Sequence, residues 1–130
     1  MLDTDVLSEF LRGNDKVIAK VGEHLEEYGF ISLSIITYYE ILNGLLYKDA
    51  RKQLSRFEEF ISLNRVIPLT LQMAKRAAII QADLRKSGTE IGHTDTLIAG
   101  ISMISELQLI TNNTEHFNRI KGLDIANWTK

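Results

Sequence analysis

Apolar positions along the chain fall into two kinds of run. Short ones, Phe30-Ile31-Ser32-Leu33, Val66-Ile67, Leu109-Ile110-Thr111 and Leu123-Asp124-Ile125, have the length and composition of strands. Longer ones repeat at three and four residues, as helices do. Val17 to Glu27 has apolar residues at 17, 18, 21 and 25; Ile35 to Tyr47 is strongly apolar; Leu54, Phe57, Phe60 and Ile61 stripe the segment from Leu54 to Leu63; and Met73, Ala77, Ile80 and Leu84 stripe Leu71 to Lys86. Thr96 to Glu106 is a further apolar helix, and a helical stretch starts near Val6.

Strands separated by helices favour parallel pairing through crossover units. Ligands of such sheets bind beyond the carboxyl ends of the strands. That rule selects Asp3, Thr4 and Asp5, the segment from Ser34, and Thr111, Asn112 and Asn113. Asp95 is the exception, because it opens a helix after a turn.

Composition narrows the classes. The chain has 130 residues, 45% hydrophobic and 25% charged, so one domain spanning 1–130 is expected. It has no cysteine, which excludes disulfides, zinc–thiolate centres and thiol nucleophiles. Charges interrupt every apolar run short of membrane-spanning length, and no basic-then-apolar leader opens the chain. A cytoplasmic location is the expectation. The formal net charge is −2, so any contact with nucleic acid must come from a local basic patch or a bound cation.

Three carboxylates sit among apolar neighbours: Asp3, Glu40 within Tyr38-Tyr39-Glu40-Ile41-Leu42, and Asp95 within Gly92-His93-Thr94-Asp95-Thr96-Leu97-Ile98-Ala99. A carboxylate drawn into an apolar interior needs a cation or several donors. Hard oxygen ligands of this kind suit Mg²⁺ or Mn²⁺. Local readings compete: Asp5 reads as an N-cap for the helix from Val6, Asp95 as a cap for the helix from Thr96, and Glu40 as a solvated rim residue. Spacing alone leaves both readings open.

The sequence resembles the PIN-domain family and, within it, the VapC-type toxins. Leu2-Asp3-Thr4-Asp5-Val6-Leu7-Ser8 is similar to the first motif, Ile35-Ile36-Thr37-Tyr38-Tyr39-Glu40-Ile41-Leu42-Asn43-Gly44 to the second, and Ile91 to Ala99 to the third. Leu109-Ile110-Thr111-Asn112-Asn113, with Phe117, Arg119-Ile120, Gly122-Leu123 and Trp128, resembles the closing segment. The resemblance implies a three-layer α/β/α sandwich with a mostly parallel sheet, and an acidic site binding Mg²⁺ or Mn²⁺ at the sheet's carboxyl edge. It implies that Asp3, Glu40 and Asp95 are the catalytic metal-binding acids, with Thr4, Asp5, Thr111, Asn112 and Asn113 in support.

The activity it implies is a metal-dependent endoribonuclease, a toxin neutralised by a small antitoxin and forming a homodimer. The antitoxin would lay a helix or extended segment into a groove between helices and reach the acids with an arginine. Two departures stand out: Asn113 is neutral where relatives carry a fourth acid, and His116 stands where they often have an acid before the phenylalanine. Only Met1 and Leu2 precede Asp3, which suggests a shortened first strand.

Lys48, Arg51, Lys52 and Arg56 are candidates for tracking RNA phosphates, with Lys48–Lys52 and Lys52–Arg56 four apart; a solvated helix face is the competing reading. Tyr38, Tyr39 and Tyr47 read as packing residues. His24 reads as a surface helix residue, His93 as a turn residue near the site mouth, and Trp128 as a cover for the last strand or a helix. Two rival readings remain: a PIN-type fold acting only as a binding module, and a haloacid-dehalogenase-like phosphatase, whose Asp-x-Asp nucleophile motif Asp3-Thr4-Asp5 imitates.

Overall fold

The computed structural model describes residues 1–129. Helices α1 (Thr4–Leu11) and α2 (Asp15–Tyr28) lead into strand β1 (Ser32–Ser34). Helices α3 (Ile35–Tyr47) and α4 (Arg51–Leu63) precede β2 (Arg65–Ile67), and α5 (Leu71–Lys86) and α6 (His93–Ile104) precede β3 (Leu109–Ile110). A single-turn helix α7 (Thr114–Phe117) and β4 (Ile125–Ala126) follow.

All pairings are parallel. β1 pairs β2 with Leu33 opposite Val66, and β3 pairs β4 with Leu109 opposite Ile125. Leu2 joins the two halves, bridging Leu33 on one side and Ile110 on the other. The sheet order is therefore β2, β1, Leu2, β3, β4, and the first strand is a single paired residue in its centre. Backbone bonds fasten it: the Leu2 N–H donates to Ser32 at 2.9 Å and the Asp3 N–H to Ile110 at 2.8 Å.

The core forms on both faces of this sheet. One cluster packs Val6, Leu7, Val17, Val21 and Phe57 with Leu33. The other packs Ile80, Leu84, Ile98, Ile101 and Phe117 with Leu109. Three layers result, as expected for an α/β/α sandwich. Helices α5 and α6 pack tightly at Gly100, where a Cβ would lie 2.6 Å from the Met73 carbonyl oxygen.

Helix starts explain several boundaries. Asn14 caps α2 by accepting from the N–H groups of Lys16 and Val17, and Ser34 caps α3 by accepting from Thr37. Two expected caps are corrected. Asp3, not Asp5, is the N-cap of α1, accepting from the Thr4 N–H. Helix α6 begins at His93 behind Gly92, so Asp95 sits in its first turn instead of capping it. No helix is long and apolar enough to cross a membrane among the described residues.

Candidate active site

Asp3 follows the central strand position and is 4% exposed. Its Oδ1 accepts from the Thr4 N–H at 2.9 Å, and its Oδ2 accepts from the Thr111 hydroxyl at 2.8 Å. Thr111, fully buried just after β3, in turn accepts from the Asn113 N–H at 2.9 Å. Asp5, one residue into α1, accepts from the Val6 N–H at 2.7 Å and from the Asn112 N–H at 3.1 Å. The chain leaving β3 is thus clamped by two aspartates from the chain leaving the central strand.

Glu40 projects from the middle of α3, half-buried, and accepts from the Thr4 hydroxyl at 2.6 Å. That hydroxyl lies 3.0 Å from the Thr37 hydroxyl, which is 3.4 Å from Ser34 Oγ. Ser34 and Thr37 are fully buried and floor the site. Asp95, half-buried at the start of α6, has Oδ2 3.7 Å from His116 Nδ1.

The four acids sense one another. Burial pushes the Asp3 carboxyl up to about 7, Asp5 adds to the rise, the Thr111 and Thr4 bonds oppose it, and Asp95 adds a smaller push. Asp5 is raised by burial against the Val6 and Asn112 bonds. Asp95 is raised by burial, then by the negative charge of Glu40, and is held back by His116. Desolvation and mutual repulsion thus raise these carboxyls against the hydrogen bonds that hold them, as is common at functional sites.

Asp3, Glu40 and Asp95 therefore meet at the carboxyl edge of the sheet, together with Asp5, Thr4, Thr111, Asn112 and Asn113. Their side chains are turned onto protein donors, Glu40 onto Thr4 and Asp95 toward His116. As they stand, no three acidic or histidine side chains among the described residues form a closed metal-ligand set. The donors gathered here, carboxylate, hydroxyl and amide oxygens, are of the type a hard dication takes.

Several neighbouring expectations need revision. Lys48 ends α3 and Arg51 begins α4, separated by Asp49 at φ 51, so Lys48 and Lys52 do not share a helix face. Arg51 pairs with Asp49 at 3.5 Å. Arg56 borders a groove between α4 and the α1–α2 pair. Tyr38 packs as expected, stacked on Phe57 with centroids 5.7 Å apart, but Tyr39 and Tyr47 are exposed. His24 lies against Tyr28 and Trp128 at 4.6 and 6.1 Å. Trp128 does cover the core, and His93 is exposed at the start of α6.

The segment from Ser34 does reach the site, through Ser34 and Thr37, whereas His116 was not among its expected members. Ser34 and Thr37 left a signal, polar residues interrupting the apolar run from Ile31 to Ile36 and just beyond it.

A fold with parallel strands, acids after the central strand and on helices α3 and α6, and a buried threonine binding the first of them define a class. The PIN domain family model matches residues 1–123, and the chain belongs to that family. Within it the likeness is to VapC proteins. Ribonuclease VapC1 of Haemophilus influenzae is 30% identical over 135 aligned residues, covering 100% of this chain and 98% of the relative. A tRNA(fMet)-specific endonuclease VapC of Salmonella typhimurium is 35% identical over 97 residues, covering 74% of each. Among solved structures, VapBC2 of Rickettsia felis bound to a DNA fragment from its promoter superposes with a TM-score of 0.89 at 26% identity, covering 98% of this chain and 97% of that one. The PIN match sets aside the haloacid-dehalogenase-like alternative.

Proposed function

We propose that this chain is a divalent-metal-dependent endoribonuclease of the VapC type, the toxin of a toxin–antitoxin pair. The observation that carries the reading is Asp3: a buried carboxyl pushed to about 7 at the carboxyl edge of a parallel sheet, with three more acids around it. The ribonuclease names of its full-length relatives point the same way.

Asp3 and Asp95 would hold a Mg²⁺ or Mn²⁺ ion, with Glu40 binding directly or through water. Such an ion, when bound, lowers the pKa of its water and neutralises charge on the phosphoryl group. The chain's own residues do the rest. Thr111 fixes the Asp3 carboxylate through its hydroxyl, and Asp5 ties the loop after β3 to α1 through Asn112. Thr4 sets the rotamer of Glu40, which would orient the attacking water. Asn113 adds an amide where a fourth acid would add charge.

The partner reading rests on a groove of ≈ 690 Å³ between α4 and the α1–α2 pair, bordered by Phe10, Leu11, Ile18, Leu25, Phe60 and Leu63. An apolar antitoxin segment fits a groove of this character. The structural relatives from Rickettsia felis and Salmonella typhimurium are VapBC assemblies.

The test is cleavage of RNA, with tRNA as the first substrate, in Mg²⁺ and in Mn²⁺. We expect cleavage by the wild-type chain, its loss on chelation, and at least ~10²-fold slower turnover for Asp3→Asn and Asp95→Asn. Turnover unchanged in both variants would refute the assignment; binding of RNA with no metal-dependent cleavage would favour a non-catalytic binding module.

A further inference from the structure

Gln81 is a polar side chain on the buried face of α5, only 8% exposed and flanked along that face by Ala77 and Leu84. Its Nε2 donates to the Ile91 carbonyl at 3.0 Å. The reverse orientation of the amide would set two oxygens against each other. Its Oε1 is buried and accepts from no protein group, the one side-chain nitrogen or oxygen in that condition among the described residues. A buried acceptor without a donor opposes folding. Stability therefore does not account for a glutamine here, since an apolar side chain of the same length would avoid the penalty. The half of the amide that is used is the half that holds Ile91.

Ile91 is buried and ends the turn between α5 and α6. The next residue, Gly92, is the N-cap of α6 and has no side chain to accept from the first-turn N–H groups. Three bonds hold the start of α6 instead. The Thr96 N–H donates to the Gly92 carbonyl at 3.1 Å, the Thr96 hydroxyl donates to the His93 carbonyl at 2.8 Å, and Gln81 donates to Ile91. Of the three, only the Gln81 bond comes from another helix. Asp95 rides in this first turn, and a Cβ placed on Gly92 would lie 3.9 Å from its Oδ2. A shift of the Ile91–Gly92 peptide is thus a shift of the backbone beside the Asp95 carboxylate.

Building on the metal-nuclease reading, we propose that Gln81 is a positioning residue of that active site: its amide fixes the turn entering α6 and so sets where Asp95 stands among the acids. An open groove bordered by Ala78, Gln81, His93 and Thr96 runs alongside, so a released Ile91 carbonyl would turn toward solvent donors and carry the first turn of α6 with it.

The test is Gln81→Met, which keeps the length of the side chain and removes both amide atoms. The Ile91 carbonyl loses its donor, but the idle oxygen goes as well, and the two changes oppose each other. The midpoint of chemical denaturation is therefore expected to stay at the wild-type value or above it. In the free chain, amide hydrogen exchange at Thr96 and Leu97 should quicken by about tenfold or more, with the middle of α5 unchanged. Cleavage of tRNA in Mn²⁺ should show kcat lowered by about tenfold or more, with KM within about twofold of wild type. Wild-type kcat in Gln81→Met, unchanged exchange at Thr96 and Leu97, or a fall in kcat accompanied by a lowered denaturation midpoint would overturn the proposal and leave the metal nuclease standing. A wild-type chain that cleaves no RNA in either ion would overturn the nuclease reading, and this proposal with it.

Discussion

At the scale of single residues, Asp3 couples folding to pH. An unfolded aspartate titrates near 3.8, whereas the folded one is raised to about 7, first by burial and then by Asp5. Between those values the folded chain holds more protons than the unfolded one. Stability is therefore full below the unfolded value and falls as pH rises through the window, by an amount on the order of a few kcal/mol. Asp5 and Asp95 are raised as well and add in the same direction. A cation bound as proposed would reverse the loss by compensating the ionised cluster. Thermal unfolding of the metal-free protein should show a lower midpoint at pH 7.5 than at pH 5, and Mn²⁺ should raise the midpoint more at pH 7.5. An equal gain from Mn²⁺ at both pH values would contradict this account, and Asp3→Asn should flatten the slope. Thr111 offers a second test. Its hydroxyl donates to Asp3 and accepts from the Asn113 N–H, so Thr111→Val strands both partners in a buried place. The expected cost is about 1–3 kcal/mol of stability, together with a further rise of the Asp3 pKa followed by carboxyl NMR.

At the scale of elements, the helices were legible and the strands were marginal. The stripe of Met73, Ala77, Ile80 and Leu84 is buried along α5, and the predicted 71–86 and 35–47 helices match the observed bounds. The strands have two or three residues each, too short for a period to show, and β1 runs Ser32–Ser34 instead of starting at Phe30. Leu2 is a strand only because β1 and β3 flank it, a fact no local pattern carries. The acids themselves were legible through their motifs. Their hydrogen bonds were not, because Thr4 to Glu40 and Thr111 to Asp3 join residues 36 and 108 apart in sequence. His116 was noticed only as a departure from the family; its distance from Asp95 is a tertiary property. The α5–α6 contact gives this scale its prediction. A Cβ at residue 100 would lie 2.6 Å from the Met73 oxygen and 3.0 Å from the Ala77 nitrogen, both backbone atoms. Gly100→Ala should cost about 1–3 kcal/mol, since the helices must separate. Gly22→Ala, inside α2 with nothing within 4 Å of the new methyl, should stabilise by roughly 0.4–1 kcal/mol. Chemical denaturation of the pair checks the contrast; similar effects in both would mean that the helix contact yields.

At the scale of the whole molecule, α1 joins the two surfaces on which the toxin reading depends. Its first turn carries Asp5 at the acidic edge, and its last turn delivers Phe10 and Leu11 to the apolar groove. Eight helical residues span about 12 Å. A partner seated in the groove therefore needs only about four extended residues to reach the acids. Affinity and inhibition would then reside in separable parts of one partner chain: apolar anchors in the groove and a polar tip at the site. Leu63, 70% exposed, and Ile18, 43% exposed, offer apolar surface for the anchors and take no part in the acidic cluster. Charges placed there should strand a desolvated carboxylate under the bound segment. Leu63→Asp and Ile18→Asp are expected to weaken binding of the protein encoded beside this one by at least ~10-fold each, equivalent to about 1.4 kcal/mol. RNA cleavage by the free variants should remain at the wild-type rate, and their toxicity in cells should resist co-expression of the partner. Wild-type affinity in both variants would move the partner's seat away from this groove, while lost cleavage in the free variants would show that groove and site are not separable.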